Sequence, residues 1–298
     1  MTDASSETLD SSQTALLEPD KPALASNGPV TGGAMTTRAP RRRLGPGRRI
    51  PFGRAIGPLL VLGLWSAASA SGILDPRILS APWKVATTAV DLVSDGRLQT
   101  HLLTSLHRAV LGFASGVAVG VLLAVAAGLS RIGEAVVDGT MQVKRALPTL
   151  GLIPLLILWL GIGETMKVVV IALVAMIYVY INTFASLTSI DARYVELGEV
   201  VGLSRWQFIQ KIVLPGALPG LFVGLRLSAT GALVALIVVE QINATSGIGY
   251  MMFQAQQYAQ SDIVIVGLIV YGILGFVSDA LVRIVERKVL SWRRTLAN

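Results

Sequence analysis

A chain of 298 residues that is 53% hydrophobic and 14% charged, with mean hydropathy +0.65, is too apolar for a soluble domain of that length and reads as an integral membrane protein. The absence of cysteine removes disulfide frameworks, thiolate metal sites, iron–sulfur clusters and cysteine nucleophiles, and two histidines, His101 and His107, leave little for a histidine-based metal or catalytic centre. The net charge of +7 is not taken as a nucleic-acid footprint, because the basic residues gather beside apolar runs, where they orient a protein in a bilayer.

Residues 1–54 are rich in Ser, Thr, Ala, Pro and Gly without a periodic apolar face, so a disordered cytoplasmic tail is expected. Its early acids (Asp3, Glu7, Asp10, Glu18, Asp20) give way to Arg38, Arg41, Arg42, Arg43, Arg48, Arg49 and Arg54, directly before the first apolar run. Under the positive-inside rule that flank is cytoplasmic. No short apolar segment stands near residue 1, so removal of a signal peptide is not expected.

A hydrocarbon core about 30 Å thick asks for roughly 20 apolar residues at 1.5 Å each. Six runs answer: 55–74, 103–129, 146–162 with a polar lead-in from 136, 167–188, 216–239 and 262–282. The expectation is an all-α integral membrane protein of about six transmembrane helices, with the transmembrane domain over 55–288 and a cytoplasmic C-terminal tail over 289–298. Residues 79–93 have helical apolar spacing but carry Lys84 and Asp91, which predicts an amphipathic helix on the outer surface.

With the N-terminus inside, the inner segments are Arg131–Arg145, Asp191–Lys211 and the stretch holding Arg283, Arg287, Lys288, Arg293 and Arg294, and each is basic. The outer loop 241–261 has no Lys or Arg. This recurrence predicts a multi-pass protein with both termini cytoplasmic. The outer loops are too short for a solute-capturing domain, and the chain lacks G-x-x-x-x-G-K-[ST], so capture and ATP hydrolysis by that loop fall to other proteins, or an ion gradient drives transport.

The segment 191–219, DARYVELGEVVGLSRWQFIQKIVLPGALP, carries explicit helix punctuation. Gly202 breaks one helix, Ser204 with Gln207 forms a capping box for the next, and Leu203 and Phe208 are spaced as a hydrophobic staple. Pro215 is expected to begin the following membrane helix. Such a loop could be a well-built interfacial turn without a partner or a docking element for one.

Glu196, five residues, Gly202, then Ile212, Leu214 and Pro215 resemble the coupling loop of importer-type ABC transporter permeases. Where the usual pattern has two alanines after the glutamate, this chain has Leu197 and Gly198. RALPTLGLIPLLILWLGIGE (145–164), YINTFASLTSID (180–191), LPGALPGLFVGLRLS (214–228) and NATSGIGYM (243–251) resemble the branch serving aliphatic sulfonates, taurine, nitrate and similar small anions, so that the likeness covers about 55–294.

The resemblance implies a type I ABC importer-like homodimer, this chain with a second copy of itself, forming the pathway in a bacterial plasma (inner) membrane. It also implies a cytoplasmic ABC ATPase dimer, which would bind ATP and Mg, and an extracytoplasmic solute-binding protein. The coupling residues would be Glu196, Gly202, Leu203, Ile212, Leu214 and Pro215 within 191–215. No cofactor or metal is expected in this chain, which would not be an enzyme by itself.

Charged groups inside membrane helices cost about 2.5–3.5 kcal/mol each on insertion scales, so each needs a reason. Arg108 either snorkels to the outer headgroups or faces the substrate path. Arg226, about 16 Å into its span, either faces the path or makes an interhelical bond. Glu240 and Asn243, before Thr245-Ser246-Gly247-Ile248-Gly249, either anchor that turn or gate the pathway. His101 and His107 read as interfacial, Gly116 and Gly120 as a weak G-x-x-x-G packing face, and Asp279 with Arg283 as a local ion pair.

An ion-coupled secondary transporter would also be basic and multi-span, but it typically shows broken helices with paired polar ligands at the midplane, and none is evident in the sequence. An intramembrane enzyme lacks a nucleophile or metal constellation. Within the importer reading the solute is a small anion, with aliphatic sulfonate ahead of taurine, nitrate or bicarbonate, and a heterocycle precursor.

Overall fold

The computed structural model describes residues 53–242 and 244–292, and among these all regular structure is helical. Helix α1 is Gly53–Ala70, α2 Pro82–Ser94 and α3 Arg97–Leu129. Helix α4, Arg131–Ala146, contains a π turn at Glu134–Asp138, and α5 is Thr149–Leu160. Then follow α6 (Glu164–Thr188), α7 (Ala192–Val200), α8 (Arg205–Gln241), α9 (Ile248–Gln257) and α10 (Ser261–Val289). The expected N-terminal tail lies outside the described residues except where Gly53 opens α1, and Asn243 and most of 289–298 lie outside them too.

Four helices, α3, α6, α8 and α10, are long and apolar enough to cross a membrane, and α4 with α5 gives a fifth crossing if the bent pair counts as one. The run expected at 55–74 forms α1, whose apolar part, Ile56–Ala70, is shorter than the roughly 20 residues a full crossing needs. Leu59, Leu60, Val61 and Leu64 of α1 are exposed, as lipid-facing residues would be.

The run expected at 146–162 is not one helix. Pro148 disfavours the helical conformation at Leu147, which is extended (φ −85°, ψ 127°), and α4 and α5 diverge by 90° at that point. This corrects the expectation of one continuous span over 146–162 with its lead-in from 136. Beside the break stands a cation, with Lys144 Nζ donating to Thr149 Oγ1 at 3.0 Å and to the Leu173 carbonyl at 2.7 Å.

Helix α6 is the core of the bundle: half of its most apolar window is buried, against 22% for α3 and 17% for α10. Its two flanks are glycine seams. A Cβ on Gly112 would stand 2.6 Å from Ile171 Cβ, one on Gly116 2.8 Å from Ala175 Cβ, and one on Gly120 2.7 Å from the Met176 carbonyl. The partners advance together, so α3 and α6 run parallel. Small residues four apart let two backbones close up where no water is available to drive association.

On the other flank Gly224 lies against Tyr178 and Gly231 against the Tyr178 ring and Val174, so α8 runs antiparallel to α6. Together these directions bring the starts of α3 and α6 and the finish of α8 to one end of the bundle. The finish of α6, α7 and the start of α8 occupy the other. Helix α2 buries Val85, Thr88 and Leu92, and its Thr88 Oγ1 donates to Asp262 of α10 at 2.7 Å.

Candidate functional site

At the end where α7 lies, the chain is punctuated by side chains that satisfy the orphan groups of each helix terminus. Asp191 accepts from the Arg193 N–H at 3.0 Å and starts α7. Gly202, at φ +70°, ends it in a Schellman motif, with the Leu203 N–H on the Gly198 carbonyl at 2.9 Å and the Gly202 N–H on the Glu199 carbonyl at 3.0 Å.

The capping box is formed. The Gln207 N–H reaches Ser204 Oγ at 3.3 Å and the Ser204 N–H reaches Gln207 Oε1 at 3.0 Å. Phe208 folds back over Gly198, where an added Cβ would lie 2.8 Å from Phe208 Cδ2. Gly198 leaves that space to the ring, whereas Leu197, the other departure from two alanines, is exposed and has no structural explanation.

Pro215 stands in the first turn of the α-helical stretch Leu214–Gln241, as expected, but that stretch continues from an earlier start without a break. Helix α8 starts at Arg205 and runs unbroken to Gln241 through a π turn at Ile209–Val213, closed by the Leu214 N–H on the Ile209 carbonyl. Proline offers no N–H and its ring crowds the carbonyl four residues earlier, and the widened turn relieves both. Val213 packs with Leu187 and Ala217, fixing this start to the finish of α6. Glu196 is exposed, Ile212 and Pro215 are half-buried, and Leu197, Val200, Val201 and Trp206 present an exposed apolar surface.

At the opposite end four charged side chains meet, three of them buried and the fourth, Glu164, exposed. The Arg108 side chain is 2% exposed: Nη1 donates to Glu240 at 2.9 Å and to the Ser246 carbonyl at 2.6 Å, while Nε and Nη2 clasp Glu164, Nη2 at 2.7 Å. Arg108 therefore does not snorkel, because two carboxylates and a carbonyl supply indoors what headgroups would supply at the surface. Lys167 Nζ also holds Glu164, at 2.9 Å.

Glu240 is wholly buried and accepts from Arg108, from Ser105 Oγ at 2.8 Å, from Tyr271 Oη at 3.0 Å and from the Gly249 N–H at 2.8 Å. The start of α9 is capped from outside its own helix: the Ile248 N–H donates to Ser105 Oγ at 2.8 Å and the Gly247 N–H to His101 Nδ1 at 3.1 Å. Gly247 holds φ +120°, and a Cβ there would fall on the Glu240 carboxylate. Of the two roles open to Glu240, anchoring the turn is visible in this geometry.

Arg226 ties α8 to α10, with Nη2 donating to Glu286 at 2.7 Å and Nε in an ion pair with Asp279 at 3.2 Å. Asp279 also pairs with Arg283 at 2.7 Å, as their spacing predicts. His107 is exposed. The structure thus brings Arg108 and Glu240 together and keeps Arg226 apart from them.

Ser105, Glu164, Lys167 and Tyr271 were not singled out from the sequence. The available signal was charge balance. Arg108 and Glu240 lie in apolar helices, and Glu164 with Lys167 stands three residues apart at the head of another, where like positions demand partners.

Residues 116–291 match the protein family described as "Binding-protein-dependent transport system inner membrane component". The chain is 36% identical over 269 residues to the protein of Bacillus subtilis named as an aliphatic sulfonates transport permease, SsuC, covering 89% of this chain and 97% of that one. The Escherichia coli protein of the same name is 40% identical over 79% of this chain and 89% of its own length. The Escherichia coli taurine transport system permease protein TauC is 30% identical over 80% and 89%. Among solved structures, the fold resembles a chain of an amino acid ABC transporter with TM-score 0.52 at 19% identity, covering 63% of this chain and 92% of that one.

Proposed function

This chain belongs to the family of binding-protein-dependent transport system inner membrane components, and on that footing we propose that it is the permease subunit of an ATP-driven importer of aliphatic sulfonates. The observation that carries the solute assignment is its 36% identity, over 89% of its length, with a protein named for that transport. Two copies would form the pathway, each with its permease domain over 55–288. An ATPase dimer binding ATP and Mg on the cytoplasmic side would supply the energy, and a solute-binding protein would deliver the anion from the other.

The segment 191–215 suits ATPase docking. Its exposed Leu197, Val200, Val201 and Trp206 offer apolar contact area, and the Schellman motif, the capping box and Phe208 over Gly198 give it one shape. Glu196, Gly202 and Leu203 belong to this face, while Ile212, Leu214 and Pro215 form the turn through which it joins α8. Helix α8 spans 37 residues, about 55 Å, so a push at Arg205 arrives at Glu240 beside Arg108. Nucleotide-driven closure would in this way reach the charged cluster at the far end, where solute enters. Basic flanks support a cytoplasmic position for the docking end and both termini.

The test is uptake of radiolabelled ethanesulfonate by cells carrying and lacking the gene, with taurine, nitrate and sulfate as competitors. Deletion should abolish uptake, the intact gene should restore it, and Gly202→Asp should not, while that variant still inserts in the membrane. Unchanged uptake in the deletion strain removes the sulfonate assignment, and normal ATPase co-purification with Gly202→Asp removes the docking assignment.

A further inference from the structure

The two buried cations at the Glu240 end share a carboxylate that is itself largely exposed. Arg108 and Lys167 side chains are 2% and 4% exposed, whereas the Glu164 side chain that binds both is 60% exposed. Glu164 engages two guanidinium nitrogens of Arg108 and, at 2.9 Å, the ammonium of Lys167. Among the described residues Glu164 is the one carboxylate on Lys167, while Arg108 keeps Glu240 as a second partner.

The cluster is neutral as it stands, with Arg108 and Lys167 against Glu164 and Glu240. A further anion entering beside Glu164 would leave an uncompensated negative charge in low-dielectric surroundings. Exchange for Glu164 keeps the sum at zero. Moved into solvent, Glu164 frees guanidinium and ammonium donors that now converge on its one carboxylate, and such donors serve carboxylate and sulfonate oxygens alike. The local chain permits the exchange: Glu164 is the first residue of α6, next to Gly161-Ile162-Gly163, and neither glycine has a side-chain or backbone neighbour in its Cβ space.

We propose that Arg108 and Lys167 receive the sulfonate group of the solute and that Glu164 is a built-in surrogate for it, displaced when solute arrives. This rests on the anion-import reading above. It makes the network at the α9 end both a seal, when Glu164 is in place, and a receptor, when it is not.

The test is binding of ethanesulfonate to the full-length protein in lipid nanodiscs, by titration calorimetry, with melting temperatures recorded for every variant. Apparent affinity scales with the fraction of time a site is open, so a cover in place more than about nine-tenths of the time predicts that Glu164→Gln tightens binding about tenfold or more. Glu164→Asp, which keeps the charge, should keep most of the masking. Lys167→Met added to Glu164→Gln should remove the gain. Equal affinity in folded wild-type protein and Glu164→Gln overturns the proposal, as does a gain that survives Lys167→Met. A gain for nitrate or acetate without one for ethanesulfonate upholds the masked site and overturns the sulfonate assignment. No gain for any of the three overturns the masked site and leaves the import reading to stand or fall on uptake.

Discussion

Arg108 and Glu240 show how differently two members of one buried network respond to substitution. Arg108→Met strips the wholly buried Glu240 of its cation, and removing one partner of a buried pair costs about 3–5 kcal/mol. Tyr271→Phe removes one of several donors on the same carboxylate and costs about 1 kcal/mol. Melting temperatures in detergent should fall far more for the first than for the second, and the reverse order would mean that Glu240 is not held chiefly by charge. Gly202 obeys another logic. It sits at φ +70° with nothing within 4 Å of its Cβ position, and aspartate tolerates that conformation better than most side chains. Gly202→Asp should therefore cost about 1–2 kcal/mol of stability at most while ATPase co-purification is lost. The role of Gly202 was legible because left-handed helix ends favour one residue type. The partners of Arg108 were not, because Glu164 is 56 and Glu240 132 positions away in sequence and nothing local records such distances.

Among the elements, the α3–α6 seam shows what a weak motif becomes when its partner is known. Gly116 and Gly120 alone say little in a glycine-rich chain, but with Gly112 they form a row against Ile171, Ala175 and Met176. Gly116→Val would drive a side chain into Ala175 and the Ala172 carbonyl, and overpacking of this kind costs about 1–3 kcal/mol. The check is the yield and melting temperature of the full chain, with Gly139→Val, where the Cβ meets nothing within 4 Å, as the control expected to behave as wild type. Boundaries were less legible than elements. The capping box at Ser204 was correctly placed and Pro215 does open the long α-helical stretch Leu214–Gln241, but the sequence did not show that a π turn at Ile209–Val213 joins the two into one helix. Conversely Pro148, inside an apolar run, does break its helix. Both prolines remove a donor, and the packing around each decides whether the chain widens a turn or bends.

For the whole molecule, the proposed orientation can be read directly, since the chain has no cysteine of its own. Val200 is 85% exposed at one end and Tyr258 73% exposed at the other. In intact cells a membrane-impermeant maleimide should label Tyr258→Cys at once and Val200→Cys only after permeabilisation, and the opposite pattern would invert the topology. Charge asymmetry in the loops carried that orientation in the sequence, whereas the number of crossings was less secure: composition marks an apolar run, but α1 is short and α4 with α5 is bent. The π turn at Ile209–Val213 has one more consequence. One residue is about 100° of azimuth around a helix, so the bulge sets the phase between the proposed docking face near Trp206 and the membrane faces of α8. A relative that lacked the bulge would present its docking surface turned by that angle while keeping the same pathway. Phase would then be a lock on which ATPase a permease accepts, independent of the contact residues themselves.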